Sequence, residues 1–162
     1  MEIRREQLKI DPKKCTACHQ CTTACSIMHY GVDDPNFSRI KILQFENKDF
    51  NVPIICMACE NPICIDVCPM NTRVRKSNGT IVTDTETCIG CKACLYICPV
   101  GSPVENPLTG QSMTCDMCED DPEGPWCVKA CHEHGALTIC EIDAQITQVA
   151  RQQAGRMRRI FS

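Results

Sequence analysis

The chain has 162 residues, 17 of them cysteine, while aromatic side chains make up only 4%. A core so poor in large side chains is thin for this length and needs staples beyond aliphatic packing. The formal net charge is −3, no run approaches 18 apolar residues, and the N-terminus has an Arg4-Arg5 pair but no apolar leader core. These features exclude a spanning helix and predict no secretory or twin-arginine signal, with the cytoplasm as the expected compartment. A reducing compartment and an odd cysteine count both argue against a disulfide framework.

Taken in chain order, residues 5–10 read as a short strand. The first cysteine set follows: Cys15, Cys18, Cys21 and Cys25, spaced C-x2-C-x2-C-x3-C. Asp33-Asp34-Pro35-Asn36 reads as a loop, and 39–45 alternates polar and apolar residues as a strand does. The second set is Cys56, Cys59, Cys64 and Cys68, spaced C-x2-C-x4-C-x3-C and followed by Pro69. Asn78-Gly79, flanked by β-branched residues, predicts a hairpin before the third set. That set is Cys88, Cys91, Cys94 and Cys98, again C-x2-C-x2-C-x3-C, followed by Pro99.

Residues 100–114 carry Gly101, Pro103, Pro107 and Gly110 and read as loop. The fourth set, Cys115, Cys118, Cys127 and Cys131, has a wider gap holding Asp120-Asp121-Pro122-Glu123-Gly124-Pro125, a surface excursion. Leu137-Thr138-Ile139-Cys140 reads as an apolar strand with Cys140, the one cysteine outside the four sets, as a small buried hydrophobe. Beyond Asp143, a plausible N-cap, the tail has four arginines and no acid, with approximate helical spacing of apolar residues. It reads as a C-terminal helix that either packs on its own body or serves as an arm for self-association.

The third set is the bacterial ferredoxin run with its closing proline. Two C-x2-C steps wrap backbone around one [4Fe-4S] cubane. The last two cysteines of each set are i and i+4, on one face of a helical turn, and there the fourth ligates the other cluster of a pair. Proline then ends the turn. Zinc is the rival metal, but its sites use two C-x2-C pairs across a longer loop. Four clusters each adding roughly −2 would take the net charge to about −11, a poor nucleic-acid ligand.

The hairpin between sets two and three makes them an inner module, leaving sets one and four to pair around it. The expected clusters are Cys56, Cys59, Cys64 with Cys98; Cys68 with Cys88, Cys91, Cys94; Cys15, Cys18, Cys21 with Cys131; and Cys25 with Cys115, Cys118, Cys127. A rival pairing, set one with two and three with four, leaves the hairpin joining unrelated modules. The expected fold is α+β: two nested ferredoxin-like modules around four [4Fe-4S] clusters, with a C-terminal helix. Residues 1–48 and 113–142 form the outer module, 49–112 the inner module and 143–162 the arm. His19 reads as a neighbour of the ligands. His29, His132 and His134 are weaker candidates, since sixteen cysteines already close four sites. No nucleophile–base pair or nucleotide fingerprint appears, so no catalytic residue is expected.

At these residues, over roughly 5–140, the chain resembles the four-cluster ferredoxin-type subunits of complex iron–sulfur molybdoenzymes, such as dimethyl sulfoxide reductase and formate dehydrogenase. That family uses the nested pairing. A narrower likeness lies in Ala24-Cys25-Ser26-Ile27-Met28-His29-Tyr30-Gly31 and Asn36-Phe37-Ser38-Arg39-Ile40-Lys41-Ile42. These segments resemble small iron–sulfur subunits of tungsten-containing aldehyde oxidoreductases and ferredoxins linked to carbon monoxide dehydrogenase. The resemblance implies electron transfer for a pterin-containing catalytic subunit, with a flavin/NAD subunit as a possible acceptor and no membrane span. Ser26 and His132 depart from it, standing where many relatives have proline. The competing functions are a free polyferredoxin, a partner of carbon monoxide dehydrogenase, hydrogenase or formate dehydrogenase, and a zinc-stapled scaffold.

Overall fold

The computed structural model describes residues 6–45 and 50–141. The C-terminal arm expected at 143–162 lies outside them. Strands and helices alternate in short pieces: β1 Glu6–Ile10, α1 Gln20–Tyr30, β2 Lys41–Phe45, β3 Phe50–Ile54, α2 Ile63–Asp66, β4 Arg73–Arg75, β5 Ile81–Thr83, α3 Ala93–Ile97, β6 Val104–Glu105, β7 Ser112–Met113, α4 Trp126–Ala130 and β8 Leu137–Glu141. The strands form four antiparallel two-stranded sheets, β1–β8, β2–β3, β4–β5 and β6–β7.

The topology is nested. β1 pairs with β8 from Glu6 opposite Glu141 to Ile10 opposite Leu137, so the two ends of the described chain lie side by side. Inside that pair α1 packs on α4, and further in α2 packs on α3. β4 and β5 form the hairpin expected at Asn78-Gly79, with Val74 opposite Val82. Asn78 closes the turn by accepting the Thr80 N–H at 3.0 Å.

Local chemistry sets the element ends. β2 starts at Lys41 rather than 39 because the Ser38 hydroxyl donates to the Ile40 carbonyl at 2.8 Å and accepts its N–H at 3.2 Å. That local turn competes with a sheet ladder. The loop expected at Asp33–Asn36 runs into a 3-10 turn, Pro35–Phe37, capped by Asp34, whose carboxylate accepts the Asn36 N–H. Pro69 and Pro99 follow α2 and α3 closely, whereas Ser26 lets α1 run on to Tyr30.

Two expectations change. Residues 100–114 are not plain loop: Val104 and Glu105 pair with Met113 and Ser112. Their glycines and prolines lie outside these four paired residues, where they turn the chain without breaking the ladder. Cys140 is only half-buried, beside the exposed Ile139. A two-stranded sheet has no further strand to cover that position.

The main apolar cluster holds Leu8, Ile40, Ile55, Ala136 and Leu137 together with Cys21, Cys25, Cys127 and Cys131. Fully burying a leucine or isoleucine contributes about 1.5–3 kcal/mol. Few such side chains are present, and cysteines fill nearly half of that cluster.

Candidate iron–sulfur sites

The four cysteine loops share a backbone device. The residue before the second cysteine of each set is left-handed: Ala17 at φ 55°, Ala58 at 43°, Gly90 at 67° and Met117 at 63°. His19, Lys92 and Cys118 add further left-handed residues at 61°, 63° and 52°. For a residue with a Cβ this conformation costs about 1–2 kcal/mol. Its recurrence at one position in four loops means the loops are curled for a purpose. Such turns direct successive N–H groups inward, a concavity suited to anions. The Met117 N–H donates to the Cys115 sulfur at 3.4 Å, and the Arg39 N–H to Cys25 at 3.3 Å.

Three cavities gather cysteines from two sets each. Cys15, Cys18, Cys21 and Cys131 line one, together with His19 and His134. Cys68, Cys88, Cys91 and Cys94 line another. Cys25, Cys115, Cys118 and Cys127 line a third. For the remaining set, Cys56 adjoins Cys64 and Cys59, while Cys98 ends α3 on the α2–α3 pair. The i, i+4 step is what sends one cysteine to each side. In α1, for instance, Cys21 faces Cys131 and Cys25 faces Cys115.

Burial makes these sites hostile to bare thiolate. Desolvation, then the neighbouring Cys131, Cys18 and Cys15 sulfurs, push the Cys21 thiol up to about 12. Burial likewise raises Cys115 to about 12, and Cys127 is also raised. In the metal-free chain these groups are thiols, so loading a metal must displace protons. Cys68 differs. Desolvation raises it, but the Thr72 hydroxyl at 3.3 Å and the backbone N–H groups of Thr72, Met70 and Arg73 bring it down to about 7.

Sequence reasoning missed the polar groups around the sulfurs. Arg39 forms an ion pair with Asp116, and His29 Nε2 lies 3.5 Å from Asp116 and 4.0 Å from the Cys118 sulfur. Burial opposes ionisation of Asp116, yet the Arg39 guanidinium and then His29 hold its carboxyl below the usual range. Desolvation, then Arg39, lowers His29. One available signal was the motif neighbour Asp116; Arg39 offered none, being distant in sequence. His132 hydrogen-bonds the Lys129 carbonyl at 2.9 Å. In the wide gap of set four, the Trp126 indole donates to Asp121 at 2.7 Å, which folds the excursion back on α4.

Soft sulfur donors in fours suit either zinc or iron–sulfur clusters. The left-handed loops and paired motifs fit the cluster, and together they describe an iron–sulfur protein of ferredoxin type. Residues 48–141 match the family model for a 4Fe-4S dicluster domain, and 12–31 match a 4Fe-4S binding domain. The protein belongs to the 4Fe-4S dicluster domain family and is an iron–sulfur electron-transfer subunit rather than a catalytic one.

It is 37% identical to the aliphatic sulfonate oxidoreductase, polyferredoxin-like subunit, of Pyrococcus furiosus, over 80% of this chain and 75% of that protein. It is 33% identical to the thiosulfate reductase electron transfer subunit PhsB of Salmonella typhi, over 90% of this chain and 84% of that one. Among solved structures, the active-site complex BamBC of benzoyl coenzyme A reductase with 1,5 dienoyl-CoA superposes with a TM-score of 0.51. The identity there is 24%, covering 86% of this chain and 77% of the other. That likeness supports the fold, α+β and ferredoxin-like. Among the described residues no helix is long and apolar enough to cross a membrane.

Proposed function

We propose that the chain carries four [4Fe-4S] clusters as the electron-transfer subunit of an oxidoreductase complex with a pterin-containing tungsten or molybdenum catalytic subunit. The ligands are Cys15, Cys18, Cys21 and Cys131; Cys25, Cys115, Cys118 and Cys127; Cys56, Cys59, Cys64 and Cys98; and Cys68, Cys88, Cys91 and Cys94. The observation that carries this reading is the gathering of three of these quartets around three separate cavities, each drawn from two sets. The outer module is then 1–48 with 113–142, the inner module 49–112, and 143–162 an arm.

When bound, the clusters supply one-electron redox chemistry. The chain's part is to hold them in a row and set their surroundings. Cys127 is close enough to Cys21, and Cys115 to Cys56, for their charges to interact. Arg73 touches Cys64 and also lines the Cys68 cavity. These adjacencies support the order Cys15 site, Cys25 site, Cys56 site, Cys68 site. Both terminal sites have an exposed cysteine, Cys18 and Cys91, as does the Cys56 site at Cys59. An electron can therefore enter near one surface and leave near another.

The narrower likeness favours an aldehyde-oxidising tungsten partner with a flavin/NAD acceptor. The name of the Pyrococcus relative favours a second reading, a partner acting on aliphatic sulfonates. Anaerobic purification of the native complex tests both. About sixteen iron and sixteen labile sulfide per chain are expected, with tungsten or molybdenum in a co-eluting larger subunit. Assays with aldehydes and with sulfonates then separate the two partners. Zinc in place of iron overturns the reading, and a chain eluting alone supports a free polyferredoxin.

A further inference from the structure

Among the described residues Arg73 is the largest fully buried side chain, only 2% exposed. It sits in β4, just past the last cysteine of the second set, with Val74 turned outward instead. Its guanidinium makes three contacts. Nη1 donates to the Thr83 hydroxyl at 2.9 Å and to the Ser112 hydroxyl at 3.1 Å, and Nη2 donates to the Cys64 sulfur at 3.7 Å. Nε has no partner. No carboxylate among the described residues lies within ion-pair distance of it. A buried cation without an anion is strongly unfavourable. Hydroxyls satisfy donors but do not neutralise charge.

The missing negative charge has an evident source. Cys64 belongs to the Cys56 site, and Arg73 also lines the cavity of Cys68, Cys88, Cys91 and Cys94. Ser112 extends the link, since its hydroxyl lies 3.2 Å from the Cys94 sulfur. One polar chain therefore runs from the Cys64 sulfur through Arg73 and Ser112 to the Cys94 sulfur. It joins a ligand of one inner site to a ligand of the other.

The geometry points to Arg73 as the residue that sets the reduction potentials of both inner clusters. It acts on the Cys56 site through its contact with Cys64, and on the Cys68 site both from the cavity wall it lines and through Ser112. The inference rests on the four-cluster reading above. Its reasoning is electrostatic: a one-electron reduction adds a negative charge, and a fixed cation in a dry interior favours the reduced form. Arg73 can do so without leaving the protein, because the clusters' charge is what makes its own burial tolerable. The outer sites have a different arrangement, in which Arg39 is already neutralised by Asp116.

The test is an EPR-monitored redox titration of the loaded chain, with dithionite as reductant, in the parent and in five variants. Ligand changes Cys98→Ser and Cys68→Ser assign the inner signals. Arg73→Gln is expected to lower both inner potentials, disfavouring reduction about tenfold or more at the Cys56 site, which is 59 mV for one electron. The outer potentials are expected to stay within twofold. Arg73→Lys, which keeps the charge, is expected to recover more than half of the shift. Ser112→Ala is expected to move the Cys68 site alone, by about threefold. If Arg73→Gln does not retain iron, Arg73→Lys and Ser112→Ala decide. A shift confined to the inner sites supports the inference, and unmoved inner potentials overturn it. A parent chain lacking about sixteen iron overturns the four-cluster reading instead, so the two failures are distinct.

Discussion

Gly90 and Gly101 share a left-handed φ of 67°, yet an added Cβ would meet very different surroundings. At Gly90 it would lie 2.7 Å from the Gly110 carbonyl oxygen and 3.3 Å from its carbon. At Gly101 it would meet nothing within 4 Å. Alanine at either position incurs the left-handed penalty, about 1–2 kcal/mol. Both also regain about 0.4–1 kcal/mol from a stiffer unfolded chain. Only Gly90→Ala adds overpacking against backbone, about 1–3 kcal/mol. The neighbouring carbonyl has little room to retreat, because the Gly110 N–H is bonded to Asn106 and Gln111 Nε2 donates to the Cys88 carbonyl. Gly90→Ala should therefore melt below Gly101→Ala by about 2–12 °C, using 2–4 °C per kcal/mol at this size. Anaerobic differential scanning fluorimetry on the loaded proteins measures the gap. Chelator-driven iron release should also be faster, because Gly90 lies between Cys88 and Cys91. Equal melting temperatures for the two variants would refute the close approach of the two loops.

Three further outcomes are expected. Cys131→Ala should lower the iron content by three to four per chain, about one cluster, and disturb the site of Cys15, Cys18 and Cys21; Cys140→Ser should leave iron unchanged by anaerobic iron and sulfide analysis. Asp116→Asn leaves Arg39 as a partly buried cation without its partner and should cost about 2–3 kcal/mol, read as a lower melting temperature, while Asp120→Asn should change little. Ser26→Pro, inside α1, removes a helical hydrogen bond and crowds the preceding turn, costing about 3 kcal/mol; a melting temperature equal to that of the parent would mean α1 does not continue past Cys25.

The cysteine spacing makes the candidate sites legible because it is local geometry. A C-x2-C step fixes how tightly backbone turns, and an i, i+4 pair fixes that two sulfurs share a helix face. The Asn78-Gly79 hairpin is legible for the same reason, since that turn is chosen by two residues. Residues 100–114 read as loop because two-residue strands leave too short an alternation to see. Cys140 reads as buried from its apolar neighbours, but burial depends on what covers a strand, and among the described residues only β1 pairs with β8.

Arg73 shows where local pattern fails. In Arg73-Val74-Arg75 the alternation predicts an inward valine, and the fold turns Val74 outward at 44% exposure. The rule that apolar residues face inward assumes an apolar interior. Here the inner half surrounds cysteine sulfurs, and Thr72, Thr80, Ser102, Ser112 and Thr114 are buried around it. An interior lined by cysteine sulfurs admits a cation and hydroxyls where an apolar one would not.

By itself the sequence determined the class of protein. Sixteen cysteines in four sets, each opening on C-x2-C and closing on C-x3-C, mark candidate thiolate sites, and the short turns that carry them are chosen by neighbours in sequence. Only the tertiary structure decided what surrounds each sulfur. The meeting of Arg73 with Cys64 and Ser112, of Arg39 with Asp116, and of β1 with β8 joins residues whose mutual distance no local rule encodes. Those meetings follow from the nested pairing, with β1 on β8 outside and α2 on α3 inside.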